Sequence, residues 1–290
     1  MTPHELAREV STLFSLPDLV IRASAVMDSP TATAQDLIEV IELDANLALT
    51  VLRLSNSALY GGRGRIETLR HAVTLIGHNA LRDLVLATAA VKVFRDIPAE
   101  FLDMETYWEN STTCGVLAGL IADYVHLRGG EALFLAGLLH SVGRLVFYVR
   151  RPKEYREVLR RVQMEGMSLG DAEQSIFGFS HADLGAALLE TWRVPEKLVV
   201  AVHFQLNPES APCFDKEVAA VSLASDLAAN LAPSLRTTYE SETYLPDRHA
   251  SYSMQSLGLT PAALAEICLE AQAASLEVIE IINPCTHIVF

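Results

Sequence analysis

Leu133-Phe134-Leu135-Ala136-Gly137-Leu138-Leu139-His140-Ser141-Val142-Gly143-Arg144-Leu145-Val146-Phe147-Tyr148-Val149 is the stretch on which the fold class turns. Its last five residues, taken alone, read as a strand, because β-branched and aromatic side chains suit a pleated surface. They are too few, however, and helical pattern lies on both sides, so helices are expected over 131–140 and 143–150. His140 then ends an apolar helix, where a protonated imidazole would favour the negative end of the helix dipole.

Upstream, a helical pattern runs from 101 through Trp108, Val116, Leu117, Leu120, Ile121 and Tyr124 to 128, and Gly129-Gly130 stops it. Before it come helices over 67–76, ended by Gly77, and over 79–94, followed by a joint at Asp96-Ile97-Pro98. Thr33-Ala34-Gln35-Asp36 is a capping box, and Asp44 caps a helix whose stripe is Leu47, Leu49, Val51, Leu52 and Leu54. Gly61-Gly62-Arg63-Gly64 breaks the chain in a sharp or flexible loop; without a GKS or GKT ending it is not a nucleotide-binding loop.

Downstream, helices are expected over 152–165, 168–177, 182–192, 195–205 and 216–231, with Pro195 in a first turn, where its missing N–H costs nothing. Residues 233–260 lack periodicity and read as a connector, and Thr260-Pro261 caps a last helical pair. The fold class is all-α. The division is 1–97 as an N-terminal helical lobe, 98–232 as a second helical lobe, and 233–290 as a connector with a C-terminal helical extension.

Half of the 290 residues are hydrophobic, enough for a real core, and the net charge of -14 is spread along the chain. Such an acidic surface argues against nucleic acid as the main ligand, because duplex binding needs Lys and Arg against phosphates. The nearest basic stretch, Arg144 to Arg161, reads as one solvated face of a helix pair. Cys114, Cys213, Cys268 and Cys285 lie far apart, which fits reduced thiols in a cytosol. The first residues lack the pattern of a secretory signal, and no uninterrupted apolar run reaches the roughly 18 residues of a membrane span. A soluble, cytoplasmic protein is expected.

The residues with metal-binding chemistry are His140, His181, His203 and Asp226, which recur in order through the second half. Imidazole and carboxylate groups converging from separate helices can hold a transition metal, although spacings of about two helices are not specific in themselves. Each has a structural role open to it as well: Ser180-His181-Ala182-Asp183 is a capping box without any metal. Asp226, a carboxylate among Ser222, Leu223, Ala224 and Leu227 in mid-helix, is the hardest to explain by packing.

The segment from Ala136 to Leu145 closely resembles the one that carries the His-Asp pair of the HD superfamily of metal-dependent phosphohydrolases. Trp108-Glu109-Asn110-Ser111, Phe177-Gly178-Phe179-Ser180-His181-Ala182-Asp183-Leu184-Gly185, Trp192-Arg193-Val194-Pro195 and Ala201-Val202-His203-Phe204 are similar to later blocks of one subgroup, the HDOD domain. Leu16-Pro17, the 44–54 helix, Arg53-Leu54-Ser55-Asn56-Ser57-Ala58 and Ala72-Val73-Thr74-Leu75-Ile76-Gly77 resemble its N-terminal portion. The resemblance covers about 13–231 and implies an N-terminal helical lobe packed on an HD-like helical lobe, in a bacterial signal-transduction context linked to regulators, cyclic-dinucleotide pathways or motility.

The departures from that pattern bear on chemistry. Asn110 stands where the resemblance places the first metal-binding His, Ser141 where it places the Asp, and Phe204 where a second His can occur. A neutral hydroxyl cannot replace a carboxylate that bridges divalent ions, so a two-metal site loses its support. Two functions follow as expectations. The first is a non-catalytic signalling or scaffolding protein that needs no cofactor, uses surfaces such as the 61–64 loop, and binds a signalling protein, a regulator or a component of a cyclic-dinucleotide pathway. The alternative is a phosphohydrolase acting on a nucleotide or cyclic dinucleotide through a single divalent transition metal on His140, His181, His203 and Asp226.

Overall fold

The computed structural model describes residues 1–10, 21–23, 25–26, 33–60, 65–94, 97, 102–231 and 248–283. Leu16, Pro17, the 61–64 loop, Asp96, Pro98 and Cys285 lie outside the described residues.

Among the described residues every regular element is helical. The first part of the chain forms α1 (Pro3–Val10), α2 (Ala34–Ile41), α3 (Ala45–Ser55), α4 (Leu69–Ile76) and α5 (His78–Val93). The central part forms α6 (Met104–Tyr124), α7 (Leu133–Leu139), α8 (Val142–Arg150), α9 (Pro152–Glu165), α10 (Leu169–Phe177), α11 (His181–Thr191), α12 (Glu196–His203) and α13 (Asp215–Leu231), and the chain continues in α14 (Arg248–Leu257) and α15 (Pro261–Ile282).

Local chemistry accounts for most of these boundaries. Both capping boxes form: Thr33 and Ser180 each accept from the amide three residues on, while Asp36 and Asp183 reach back to the cap amide. Asp44 accepts from the amides of Asn46 and Leu47. Gly77 ends α4 at φ +89°, in the region that disfavours a β-carbon.

Three expectations need correction. The 233–260 segment contains a ten-residue helix, α14, whose polar sequence hides its buried Ala250 and Ser253. The C-terminal helical pair is one 22-residue helix, α15, begun by the predicted Thr260 cap. Pro195 is extended at ψ 137° and precedes α12 instead of entering its first turn.

The apolar faces set the assembly. α6 lies at the centre, packed by α7, α13 and α15, and fourteen of its 21 residues are buried, more than one stripe can supply. α6 and α7 approach so closely that a β-carbon on Gly137 would lie 2.7 Å from the Cys114 carbonyl oxygen. α3, α4 and α5 pack together as the N-terminal portion, and α5 meets α7. α1 does not stay with that portion: its buried Leu6, Ala7 and Val10 lie on α11 and α8, in the central part. There His4 bonds Glu190, and Arg150 and Arg151 bond Glu9.

Leu133–Arg150 is apolar enough by length and composition to suggest a membrane span, but it is two helices broken at His140 and Ser141, 83% buried inside the protein.

Candidate functional site

The break between α7 and α8 brings the predicted residues toward α11. Gly143, in the first turn of α8, packs on the α11 start so tightly that a β-carbon would lie 2.1 Å from the His181 carbonyl oxygen. That contact places His181 beside His140, and both are 5% exposed. His140 Nδ1 lies 2.7 Å from the Gly137 carbonyl oxygen, so that nitrogen carries the proton and donates, leaving the Nε2 lone pair as the acceptor. Burial, helped by nearby His181 and Arg144, pushes the His140 pKa down to about 3. The expected helix-ending cation is therefore a neutral imidazole, because desolvation outweighs the dipole.

His181 is fixed by a residue that the sequence did not single out. Glu173 of α10, fully buried, accepts at one carboxylate oxygen from both the His181 backbone amide and the ring Nδ1, each at 2.7 Å. Its other oxygen accepts the Tyr155 hydroxyl at 2.8 Å. Arg144 completes the set. Burial works to lower its pKa, but Tyr155, Tyr148 and Glu173 hold the guanidinium firmly charged. Phe147, Phe177, Phe179 and Tyr155 stack around this core, with Phe147 and Phe177 centroids 4.3 Å apart, and exclude water from it. Gln205, 3% exposed, donates to the His140 carbonyl oxygen at 2.6 Å and ties α12 to the same place.

Of the other two predicted ligands, His203 has a carboxylate partner of its own. His203 Nε2 meets Asp183 Oδ1 at 3.0 Å in a half-exposed pair, and Phe204 lies against the His203 ring, centroids 4.5 Å apart. Burial tends to raise the Asp183 pKa, yet the bonds from His203 and Ser180 hold it at about 2. Asp226 sits within electrostatic reach of Cys114 on α6; burial raises that thiol's pKa, and the carboxylate raises it further.

Ser141 Oγ lies 3.5 Å from Ser111 Oγ, and both are buried. Burial raises the neighbouring Tyr107 hydroxyl to about 12, with the two serines working against it. Asn110, half-buried, stands one turn before Cys114.

Among the described residues no group of three or more His, Cys, Asp or Glu side chains is placed to hold a metal ion. Two imidazoles with neutral hydroxyls beside them do not fit a divalent pair, which needs bridging carboxylates. In the basic stretch at Arg144 to Arg161, four arginines are paired within the chain. Arg150 and Arg151 bond Glu9, Arg160 bonds Glu157 and Glu165, and Arg161 bonds Glu157.

A helical N-terminal portion set against a helical core with paired histidines at a helix break defines an HD-like architecture. The HDOD domain model matches residues 13–208, and the chain belongs to that family. It is similar over 98% of both chains to the crystal structure of an HDOD domain protein of unknown function from Geobacter sulfurreducens, at 26% identity and a TM-score of 0.73. It is also similar to a candidate phosphohydrolase from Shewanella amazonensis, at 25% identity and a TM-score of 0.73, over 96% of this chain and 98% of that one. An uncharacterized protein of Treponema pallidum is 26% identical over 212 residues, 71% of this chain; the match spans 40% of that relative's length.

Proposed function

We propose that this chain is a non-catalytic signal-transduction or scaffolding member of the HDOD family, working in the cytoplasm by binding a signalling protein or regulator. One observation carries the reading. Where a bridging carboxylate would be required, Ser141 lies against the Ser111 hydroxyl, and both are buried. The Glu173 carboxylate nearby is already engaged by His181 and Tyr155. A degenerate site of this kind serves as structural core.

A second reading has an observation in its favour. His140 and His181 both commit Nδ1 to an oxygen acceptor, which directs the Nε2 lone pairs as a metal-bound histidine would hold them. A mononuclear phosphohydrolase acting on a nucleotide or cyclic dinucleotide would start from this pair, with His203 and Asp226 as further ligands. The name of the Shewanella relative supports that direction.

Turnover decides between them. The purified protein is assayed on nucleotide and cyclic-dinucleotide substrates with Mn, Fe, Ni, Mg and Zn, alongside elemental analysis. The scaffolding reading expects rates equal to those of His140→Ala and Asp226→Ala and no stoichiometric metal. Metal-dependent turnover that both substitutions abolish would establish the enzyme.

A further inference from the structure

The last described helix, α15, turns one face inward and leaves an apolar stripe outside. Its buried residues, among them Leu264, Ile267, Ala271, Ala274, Val278 and Ile281, pack on α6 and α3. Leu269 and Leu276 point the other way, 72% and 53% exposed, against the usual cost of leaving such side chains in water. They are one heptad apart, so they fall within about 20° of each other around the helix axis. Ala262, Ala265 and Ala273 are exposed and continue the stripe, keeping it low enough for another helix to approach closely.

The charge beside this stripe selects the partner. The helix contains no Lys or Arg. Glu266 and Glu270 are exposed along one flank of the leucines, Glu277 on the same flank accepts from the Ala58 amide at 3.0 Å, and Glu280 stands at the end of the stripe. A second copy paired antiparallel would set these carboxylates against each other, and paired parallel would leave them without counter-cations. The acidic balance of the whole chain, -14, adds to the same field.

We propose that the outer face of α15 is a docking surface for an amphipathic helix of a partner protein, with leucine-type anchors on its apolar side and Lys or Arg along the flank that meets Glu266 and Glu270. The surface lies beyond residues 13–208, the range that the family model matches. The proposal rests on the partner-binding reading, but its test is independent of turnover: failure here leaves the assay of the histidine site untouched.

The probe is a labelled synthetic amphipathic helix with leucines at heptad spacing and lysines on its flanks, together with a matched peptide carrying glutamates instead. Binding to the full chain is followed by fluorescence anisotropy at low and moderate salt. The lysine peptide is expected to bind at least about tenfold more tightly than the glutamate peptide, and less tightly as salt rises. Leu269→Asp and Leu276→Asp are each expected to weaken binding by about tenfold, although both add negative charge. Glu266→Gln with Glu270→Gln is expected to weaken it several-fold. Thermal melts check that the exposed-site variants fold, and Leu269→Gln with Leu276→Gln replaces any that do not. Equal binding of the two peptides overturns the proposal. So does unchanged or tighter binding by the Asp variants, the mark of charge attraction alone, or a wild-type dimer in sedimentation that Leu269→Asp dissolves, the mark of a second copy.

Discussion

Glu173 and His181 are joined twice: one carboxylate oxygen accepts both the backbone amide and the ring Nδ1–H of the histidine, each at 2.7 Å. The carboxylate is fully buried, so the pair cannot exchange its bonds for water. It fixes the start of α11 and the orientation of the imidazole together, and Tyr155 holds the far oxygen.

Removing one member should therefore cost more than removing a surface pair. Glu173→Ala is expected to destabilise the protein by about 3–5 kcal/mol in urea unfolding, because it leaves a buried amide and imidazole without an acceptor. Tyr155→Phe, which deletes only the hydroxyl, should cost about 1–2 kcal/mol.

Gly143 is expected to be intolerant of the smallest addition. Gly143→Ala puts a methyl group 2.1 Å from the His181 carbonyl oxygen, which is backbone and cannot swing aside. Separating α8 from α11 should lower stability by about 2–4 kcal/mol, read as a fall in Tm.

Acid sensitivity should track His140. The unfolded chain binds a proton on this imidazole near the ordinary pKa of 6.5, whereas the folded protein binds it only near 3. Its contribution is therefore complete above about pH 6.5 and is lost as pH falls toward 3. Between pH 6.5 and 4 the loss is at most about 3 kcal/mol, and His140→Gln should flatten that part of the profile. Asp183, held at about 2, acts in the same direction in a lower window, from its ordinary value near 3.8 down to 2.

Ser141 is expected to be intolerant of charge. Ser141→Asp should destabilise the protein by about 2–4 kcal/mol at neutral pH, because it buries a carboxylate beside Ser111 and Tyr107. Ser141→Ala should stay within about 1 kcal/mol of wild type, since the 3.5 Å contact to Ser111 is long. Urea unfolding of the pair measures the difference.

Much of the architecture is legible in local chemistry. The Thr33, Asp44, Ser180 and Thr260 caps each satisfy amides within three residues of themselves, so no distant part of the chain is needed to form them. The Arg-rich stretch reads as a solvated face, but Arg144 is drawn into the core and Arg150 and Arg151 meet Glu9 of α1, which is far away in sequence. α14 escapes periodicity because its amphipathic face uses Ala250, Ser253 and Leu257 rather than a run of large apolar residues. Of the candidate ligands, His140 and His181 are brought together, His203 turns to Asp183, and the Asp226 charge is felt at Cys114.

The sequence alone determined the all-helical class and the helix ends that rest on local caps and a glycine stop. Those properties depend on bonds and sterics within a few residues. Tertiary structure decided that Glu173 is buried, that it takes His181 as its partner, that Arg144 is the cation of that core, and that His140 stays neutral. Burial is a property of the packed assembly, and hydrogen-bond partners and pKa follow from burial.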